Sequence, residues 1–468
     1  MAQTVKVIEQ CQISPPPGSV PSTSIPLTFL DLPWLCCPPI KRIFLYEFPY
    51  STQYFFQTFL PTLKHSLSLT LQHFFPFSAN LVFPPKPNKP HILYSHDDCI
   101  SFTVVESTAD FTKLVSDSPR DVKDLHPFVP LLPSSRTLED GTFLFPLMAI
   151  QVTVMSNSAF SICITFSHVV ADGRAFHHFM KFWASICKSK GDLAFLEGSL
   201  SLPLHNRNII DDPISLKPIF SEELWNLSLQ NLNSKGLIHD VPSDMVRHMI
   251  VLSHDHIEKL KRWVSVRCKS HDPATLHITT FVVTCSLIWV CKVKSEEIKD
   301  GIILPNNDES YVLTFVADCR NRPQLSTQLE YFGNCLVSGN VVLKRSTLVA
   351  GNGILEAAIA IGSKVRYMQC EIFEGAETLM SNLTEFDKLG QHVTVIAGSP
   401  KLEVYETDFG WGKPKRSEVV NVEISGTISF SDCRDEEGKI EVGLALQKIQ
   451  MKKFCTILQE QLREIAIL

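Results

Sequence analysis

The stretch from Ser167 to Gly173, with the sequence Ser-His-Val-Val-Ala-Asp-Gly, lies where one kind of element gives way to another. Before it, apolar residues alternate with small or polar ones from Phe160 to Phe166, which predicts a strand with one buried face. After it, apolar residues recur at helical spacing and predict a helix that starts near Gly173 and ends near Lys190. His168 therefore lies at a strand end, where a rigid element can aim a side chain into a cleft.

Two interpretations of this His-x-x-x-Asp stretch stand side by side. His168 is either a general base or an ordinary packed histidine, and its position alone does not choose between them. Asp172 directly precedes Gly173, so its carboxylate can cap the following helix or shape the turn. We expect the structural role for Asp172.

Composition limits the classes of protein to which the chain can belong. Its 468 residues suggest two to three domains, and 44% apolar and 20% charged residues are typical of a globular protein. The net charge of −6 gives no electrostatic case for nucleic acid or an anionic membrane as a partner. The fourteen cysteines are scattered without a Cys-x-x-Cys, which favours reduced thiols in the cytoplasm. No secretory signal or membrane-spanning apolar run is apparent.

Several well-known chemical motifs are missing from the sequence. It has no Gly-x-Ser-x-Gly nucleophile elbow, no phosphate-binding Walker loop and no dinucleotide glycine fingerprint. No His-Glu-x-x-His occurs, and the adjacent His177 and His178 point to different sides of a helix. We therefore expect no metal and no permanently bound cofactor.

Alternating strand and helix patterns along the chain favour an α/β architecture. Residues 1–50 are proline-rich and suggest an irregular or edge-strand arm, and residues 55–75 form a helical stripe that Pro61 breaks early. A hairpin is predicted around residues 156–158. Prolines and weak periodicity in residues 192–225 indicate a crossover between domains. The predicted domains are 1–200 and 226–468, with 201–225 as linker.

The predicted elements of the second half are listed here. They are strands at Met245–Ser253, Tyr311–Ala317 and Val393–Ala397, helices at about 255–268, 279–292 and 350–390, and a terminal pair of strands followed by a helix.

Two motifs together resemble the plant BAHD acyltransferase family. His168-Val-Val-Ala-Asp172 matches its central His-x-x-x-Asp, and Asp408-Phe-Gly-Trp-Gly412 matches its C-terminal motif in the same order. Tyr331-Phe-Gly-Asn-Cys335 and the run Leu27–Trp34 are similar to the branch that acylates anthocyanin and flavonoid glycosides. The resemblance covers nearly the whole chain. It implies two domains of the chloramphenicol-acetyltransferase type with a solvent channel between them.

The resemblance also implies a reaction and roles for particular residues. His168 is expected to act as general base in a direct transfer of a malonyl or hydroxycinnamoyl group from coenzyme A to a sugar hydroxyl. Asp172 is expected to pair with an arginine, with Arg320 the better match and Arg322 the second. The loop of Asp408, Gly410, Trp411 and Gly412 is expected to be structural. The family also implies an acyl-CoA co-substrate, a glycosylated phenolic acceptor and a monomer.

Several cations are candidates for contacts with the acyl-CoA donor. Arg174 could hold the free carboxylate of a malonyl group, or it could simply be an exposed arginine at a helix start. Lys401, Lys413, Lys415 and Arg416 could meet coenzyme A phosphates, or they could form a solvated face.

Three functions remain open on the sequence. The first is acylation of a flavonoid or anthocyanin glycoside. The second is the same chemistry on another phenolic glucoside, an alcohol or an amine. The third is a non-catalytic binding protein that keeps the fold, which the intact motifs disfavour.

Overall fold

The computed structural model describes residues 4–155, 158–192, 201–226, 241–268, 277–296, 309–322, 325, 327–379, 392–424, 426–435 and 437–466. Their strands are β1 (Val5–Ile13), β2 (Thr23–Pro26), β3 (Ile40–Glu47), β4 (Asn80–Phe83), β5 (His91–Tyr94), β6 (Ile100–Ser107), β7 (Arg120–Asp121), β8 (Arg136–Thr137), β9 (Phe143–Pro146), β10 (Met148–Met155), β11 (Ala159–Phe166), β12 (Met245–Leu252), β13 (Ser310–Asp318), β14 (Leu336–Lys344), β15 (Val393–Gly398), β16 (Arg416–Val419), β17 (Thr427–Asp432) and β18 (Ile440–Gln447).

The α-helices are α1 (Thr52–Tyr54), α2 (Leu60–His73), α3 (Phe111–Leu114), α4 (Gly173–Lys188), α5 (Leu216–Asn226), α6 (His254–Arg267), α7 (Thr280–Ser295), α8 (Arg345–Val349), α9 (Gly353–Cys370) and α10 (Lys448–Ala466). A π-turn covers Phe55–Phe59. Short 3₁₀ turns cover Leu32–Cys36, Phe75–Phe77, Val122–Phe128, Arg207–Ile209, Ala376–Thr378, Pro400–Leu402 and Val420–Glu423.

A six-stranded sheet with the order β1-β6-β10-β11-β3-β16 carries the strand that leads to His168. The β10–β11 hairpin is antiparallel and pairs Ile150 with Ile164, which confirms the predicted hairpin strands, although turn residues 156 and 157 lie outside the described residues. Every residue of β11 is buried, so the expectation of one buried face was wrong. Apolar residues of helices α2 and α4 pack in the hydrophobic core on one face of this sheet. Helix α3 and the Val122–Phe128 turn cover its other face.

A seven-stranded sheet with the order β14-β13-β15-β17-β18-β12-β7 lies in the second half of the chain. Strand β15 runs parallel to both β13 and β17, as expected where helices connect strands. Helix α7 is buried around most of its surface because α6, α8, α9 and α10 pack against it. A five-stranded sheet, β2-β5-β4-β9-β8, completes the three.

The two larger sheets exchange strands. Strand β16 from the second half of the chain pairs with β3, and β7 from the first half pairs with β12. At this crossing, buried Glu418 accepts hydrogen bonds from both Arg120 and Arg247. A buried cluster of one carboxylate and two guanidinium groups therefore links the two sheets.

Most predicted elements are present with shifted ends. The N-terminal segment was predicted in part. Strands β1 and β2 lie at the edges of their sheets, as expected of an edge-strand arm, but β3 is an interior strand of the six-stranded sheet. Pro61 does not end the helix, but regular α geometry is interrupted just before it. Residues Phe55–Phe59 form a π-turn between α1 and α2, and Pro61 in the first turn of α2 has no N–H to donate to that preceding turn.

The predicted linker is more regular than its sequence suggested, since residues 201–225 contain the Arg207–Ile209 turn and most of α5. Residues 193–200 and 227–240, which flank it, lie outside the described residues, as do 380–390 of the helical region predicted at 350–390. The domain boundaries stay a prediction. Across the described ranges, no helix combines the length and apolarity needed to cross a membrane.

Candidate active site

The turn that carries His168 is held at both of its ends. Strand β11 ends at Phe166 and α4 begins at Gly173, and the rings of Phe166 and Phe176 stack across the turn at 4.6 Å between centroids. Asp172 is the N-cap of α4, and its carboxylate accepts a hydrogen bond of 3.0 Å from the Ala175 N–H. The strand–turn–helix predicted from the local pattern is confirmed.

The carboxylate of Asp172 forms a bidentate ion pair with Arg320. Its oxygens lie 2.8 Å from Nη1 and 3.1 Å from Nη2 of Arg320, and both side chains have no exposed surface. Asp172 also accepts a hydrogen bond of 3.0 Å from the Cys335 N–H. Its hydrogen-bonding capacity is thus used in holding three segments of chain together.

Arg320 extends this contact toward the second half of the chain. It donates to the carbonyl oxygens of Tyr331 and Gly333 and to the carboxylate of Asp318. Burial by itself lowers the pKa of Arg320, but the Asp172 and Asp318 carboxylates outweigh it and raise that pKa above its usual value. Arg322, the second-choice partner of Asp172, instead donates to the carbonyl oxygens of Asp318 and Met368.

The imidazole of His168 is partly exposed and tightly oriented. Its Nδ1 lies 3.0 Å from Oδ1 of Asn334, and its ring stacks on Trp34 at 3.9 Å with an interplanar angle of 10°. Desolvation lowers the pKa of His168, although the hydrogen bond of the ring to its own backbone carbonyl, the Asp172 carboxylate, the Asn334 hydrogen bond and the Asp31 carboxylate oppose this shift. The ring is therefore neutral near pH 7 and able to accept a proton.

Asn334 and Asp31 are site residues that the sequence reasoning missed. Both have no exposed surface, and Asp31 accepts hydrogen bonds from the backbone N–H and the side-chain amide of Asn334. A signal for them was available, because Asn334 lies in the Tyr331–Cys335 motif and Asp31 and Trp34 lie in the Leu27–Trp34 run. Those motifs identified a branch of the family and carried no indication of contact with His168.

The loop that begins at Asp408 is organised by that carboxylate. One oxygen accepts hydrogen bonds of 2.8 Å from the N–H groups of both Gly410 and Gly412, and the other lies 2.6 Å from Nζ of Lys188. Both glycines have positive φ, +104° and +102°, which side-chain-bearing residues rarely adopt. Burial raises the pKa of Asp408, but Lys188 and the two N–H donors outweigh it, so the net direction is downward.

The aromatic residues of this loop pack inward. Phe409 is buried against Trp183 of α4, with the two rings edge to face at 4.9 Å. Trp411 packs on Phe59 at 4.2 Å. The Asp408–Gly412 loop thus braces the helix that follows the His168 turn, and its hydrogen bonds to Lys188 and the loop backbone have a structural character.

The candidate donor-binding cations are mostly engaged within the protein. Nε of Arg174 lies 2.6 Å from Asp318, and Nζ of Lys413 lies 2.6 Å from Glu406. Arg416 pairs with Asp117, and Lys415 lies 3.8 Å from Glu47. Lys401 is exposed in the Pro400–Leu402 turn, and the described part of the chain provides no ion-pair partner for it.

Nothing in the described ranges groups three or more His, Cys, Asp or Glu side chains in a way that could hold a metal ion. The chemistry that the arrangement can perform is proton transfer. A neutral, oriented imidazole with one free nitrogen at a partly open strand end can take a proton from an attacking hydroxyl group.

Comparison with solved structures tests the fold that was predicted from the sequence. The chain matches vinorine synthase with a TM-score of 0.67 at 17% identity, covering 96% of each chain. It also matches TRI101 of F. graminearum, complexed with coenzyme A and T-2 mycotoxin, with a TM-score of 0.63 at 16% identity, covering 92% of this chain and 96% of the other. The predicted two-domain acyltransferase fold is confirmed.

Comparison with characterised relatives places the chain more narrowly. It is 40% identical to a coumaroyl-CoA:anthocyanidin 3-O-glucoside-6''-O-coumaroyltransferase of Arabidopsis thaliana, over 99% of both chains. It is 34% identical to a malonyl-coenzyme A:anthocyanin 3-O-glucoside-6''-O-malonyltransferase of Dahlia pinnata, over 97% of both. A family model described as the Transferase family matches residues 3–460. The chain therefore belongs to the BAHD acyltransferase family, as an acyl-CoA-dependent enzyme of its anthocyanin acyltransferase branch.

Proposed function

We propose that this enzyme transfers a hydroxycinnamoyl group from its coenzyme A thioester to a sugar hydroxyl of an anthocyanin or flavonoid glycoside. The observation that carries the chemistry is the His168 imidazole, kept neutral by burial and held by Asn334 and Trp34 at a partly open turn. The acceptor class follows from the relatives that cover the full chain.

The reaction needs one group that accepts and then returns a proton. The sugar hydroxyl oxygen attacks the thioester carbonyl carbon while its proton passes to the imidazole of His168. The tetrahedral intermediate then collapses, the C–S bond breaks, and the imidazolium returns the proton to the coenzyme A sulfur. General-base assistance of this kind contributes about 10²–10⁴-fold to the rate. The donor and acceptor bind together, and no acyl-enzyme forms.

The roles of Asp172 and Asp408 in this proposal are structural. The Asp172 carboxylate accepts hydrogen bonds from Arg320, Ala175 and Cys335. The Asp408 carboxylate accepts hydrogen bonds from Lys188 and from the backbone of its own loop. Neither carboxylate forms a hydrogen bond with the His168 ring among the contacts of the described residues. Both hold the segments that orient His168.

The choice of an aromatic donor rests on Arg174. A malonyl group would carry a free carboxylate that needs a cation, and the charge of the candidate Arg174 is already paired with Asp318 through Nε at 2.6 Å. A hydroxycinnamoyl group requires no such partner. Two of the relatives most similar in sequence are named as coumaroyltransferases, at 40% and 39% identity. Malonyl transfer is the second candidate, because Asp318 also has Arg320 as a partner and could release Arg174.

The test is a matrix of malonyl- and coumaroyl-CoA against glycosylated and non-glycosylated phenolic acceptors, read by product mass. Coumaroylation of a glycoside is the expected result, and acylation of an alcohol or amine alone would refute the acceptor class. His168→Ala should reduce turnover by about 10²–10⁴-fold in a folded protein, while replacement of the exposed His254 by Ala should not. A His168→Ala enzyme with near-normal turnover would refute the mechanism.

The donor assignment has its own test in Arg174→Ala. We expect similar, small losses with coumaroyl-CoA and malonyl-CoA if the Arg174 guanidinium serves Asp318. A selective loss with malonyl-CoA would contradict this and establish a carboxylate contact. That the enzyme is a monomer also belongs to the proposal, on the strength of the family resemblance, and the molecular mass in solution, measured by light scattering, tests it. A cytoplasmic location is proposed from the scattered cysteines, which favour reduced thiols.

A further inference from the structure

The side-chain amide of Asn334 can adopt only one orientation. Its Nδ2 group faces three acceptors, namely the carbonyl oxygens of His168 at 2.9 Å and Val169 at 3.1 Å and the Asp31 carboxylate at 3.1 Å. None of these three groups can donate to an oxygen placed there. Rotating the amide by half a turn would set its oxygen against all three, so Oδ1 must face the His168 ring.

This orientation determines which nitrogen of His168 carries the proton. Oδ1 of Asn334 is an acceptor and lies 3.0 Å from Nδ1, so Nδ1 must be the N–H donor. The lone pair of the neutral ring is then on Nε2, on the side of the ring away from Asn334. Trp34, stacked at 3.9 Å and 10°, fixes the plane in which that lone pair lies.

Asp31 in turn holds Asn334. Its Oδ1 accepts from both the backbone N–H and the side-chain amide of Asn334, and its Oδ2 accepts from the backbone N–H and the hydroxyl of Thr28, both at 2.8 Å. The guanidinium of Arg207 lies 3.7 Å from the same carboxylate and is almost fully buried. A carboxylate with four donors and a neighbouring cation has a single stable position.

From these contacts we propose that Asn334 and Asp31 are positioning residues that set the tautomer of His168 with Nδ1 protonated and Nε2 free. Two successive hydrogen bonds link these residues. One joins Asp31 to Asn334, which are 303 positions apart in the sequence, and the other joins Asn334 to His168, which are 166 positions apart. The inference rests on the proposed role of His168 as base and adds which nitrogen acts. An amide is suited to the task because it stays neutral and holds the tautomer without adding a charge beside the ring.

The first experiment observes the tautomer directly and requires no activity. Protein labelled with ¹⁵N at the histidine ring is compared with its His168→Gln variant, so that the His168 signals are assigned by their loss. We expect a protonated Nδ1 and an unprotonated Nε2 in the wild type above the pKa of the ring. A protonated Nε2 in the wild type would overturn the proposal, whatever the activity of the enzyme.

The second experiment removes the amide. Asn334→Leu keeps a similar side-chain volume and eliminates the side-chain acceptor for Nδ1. Asn340→Leu is the matched control, because among the described residues the Asn340 side chain accepts from Thr314 on β13 and has no contact with His168. We expect kcat of Asn334→Leu to fall by about 10²-fold or more with KM for acyl-CoA within a few-fold, since the base assistance alone is worth 10²–10⁴-fold. The ¹⁵N spectrum should show a protonated Nε2 fraction.

The outcomes separate this proposal from the proposed function. An Asn334→Leu enzyme with kcat within about threefold of the wild type, on the same scale of base assistance, would overturn the positioning role. If Asn334→Leu does not fold, Asp31→Ala provides the same test, because it removes the carboxylate that accepts from the backbone N–H and the side-chain amide of Asn334 and should raise the protonated Nε2 fraction. If His168→Ala is fully active while the wild-type tautomer is as stated, the base assignment fails and the geometry stands.

Discussion

Replacing Asp172 by Asn should destabilise the enzyme before it affects chemistry. The Asp172 carboxylate pairs with Arg320 at 2.8 and 3.1 Å, and both side chains have no exposed surface. Breaking a buried ion pair by removing one partner costs about 3–5 kcal/mol, because the remaining charge is left without compensation. An Asn amide also directs an N–H group at a donor of Arg320 or Cys335, which leaves a buried polar group unsatisfied.

The assay is urea unfolding followed by tryptophan fluorescence, with activity measured per folded molecule. Asp318→Asn is the matched control, because its carboxylate also contacts Arg320, at 3.0 Å, but is 30% exposed. We expect a smaller loss there than for Asp172→Asn, because water partly screens the Asp318 carboxylate and Arg320 keeps Asp172 as a partner. Combining Asp172→Asn with Arg320→Met should cost less than the sum of the two single changes, since no buried charge remains uncompensated.

Two results would refute this reasoning. One is an Asp172→Asn enzyme whose free energy of unfolding lies within about 1 kcal/mol of the wild type, which is the range of an exposed pair. The other is a variant that is as stable as the wild type, well ordered and inactive, which would assign Asp172 a direct part in proton transfer.

Three further predictions concern pH and packing. The pKa of Glu418 is lowered from 4.5 to about 2, because the attraction of Arg247 and the other arginines outweighs burial, which raises it. The stabilisation by this carboxylate should therefore be complete above pH 4.5 and disappear as pH falls toward 2. Glu418→Gln should flatten that part of an acid-unfolding curve, and an unchanged curve would contradict the prediction. Gly333→Ala should destabilise the fold by about 1–3 kcal/mol or more at its φ of +153°, because a Cβ there overlaps the Arg207 guanidinium, whereas Gly351→Ala, with open space around it, should not. Since burial lowers the pKa of His168, the acid limb of kcat/KM should lie below pH 6.5, and a limb above 6.5 would contradict a neutral, desolvated base.

Local patterns in the sequence predicted the elements around the site well. The alternation before His168 and the helical spacing after Gly173 depend only on neighbours within a few residues, and β11 and α4 follow them. The same rules failed where burial depends on distant segments. Strand β11 is covered on both faces, and β3 lies inside a sheet, because α3, the Val122–Phe128 turn and β16 come from elsewhere in the chain.

The contacts of the candidate site show a similar division. The resemblance to a family supplied Arg320 as the partner of Asp172, and the structure places the two side chains together. It did not supply Asn334 or Asp31 as neighbours of His168. Arg174 was a candidate for contact with the acyl-CoA donor. Only the structure shows that its Nε donates a hydrogen bond to Asp318.

By itself, the sequence determined that a histidine ends a buried strand, that an aspartate caps the next helix, and that the chain carries the motifs of one acyltransferase branch. Tertiary structure alone decided which polar groups surround that histidine, because they include an amide 166 positions away and a carboxylate 303 positions from that amide. It also decided that the two large sheets exchange strands. Hydrophobic periodicity records short-range geometry, whereas hydrogen-bond direction is set only when distant backbone segments meet.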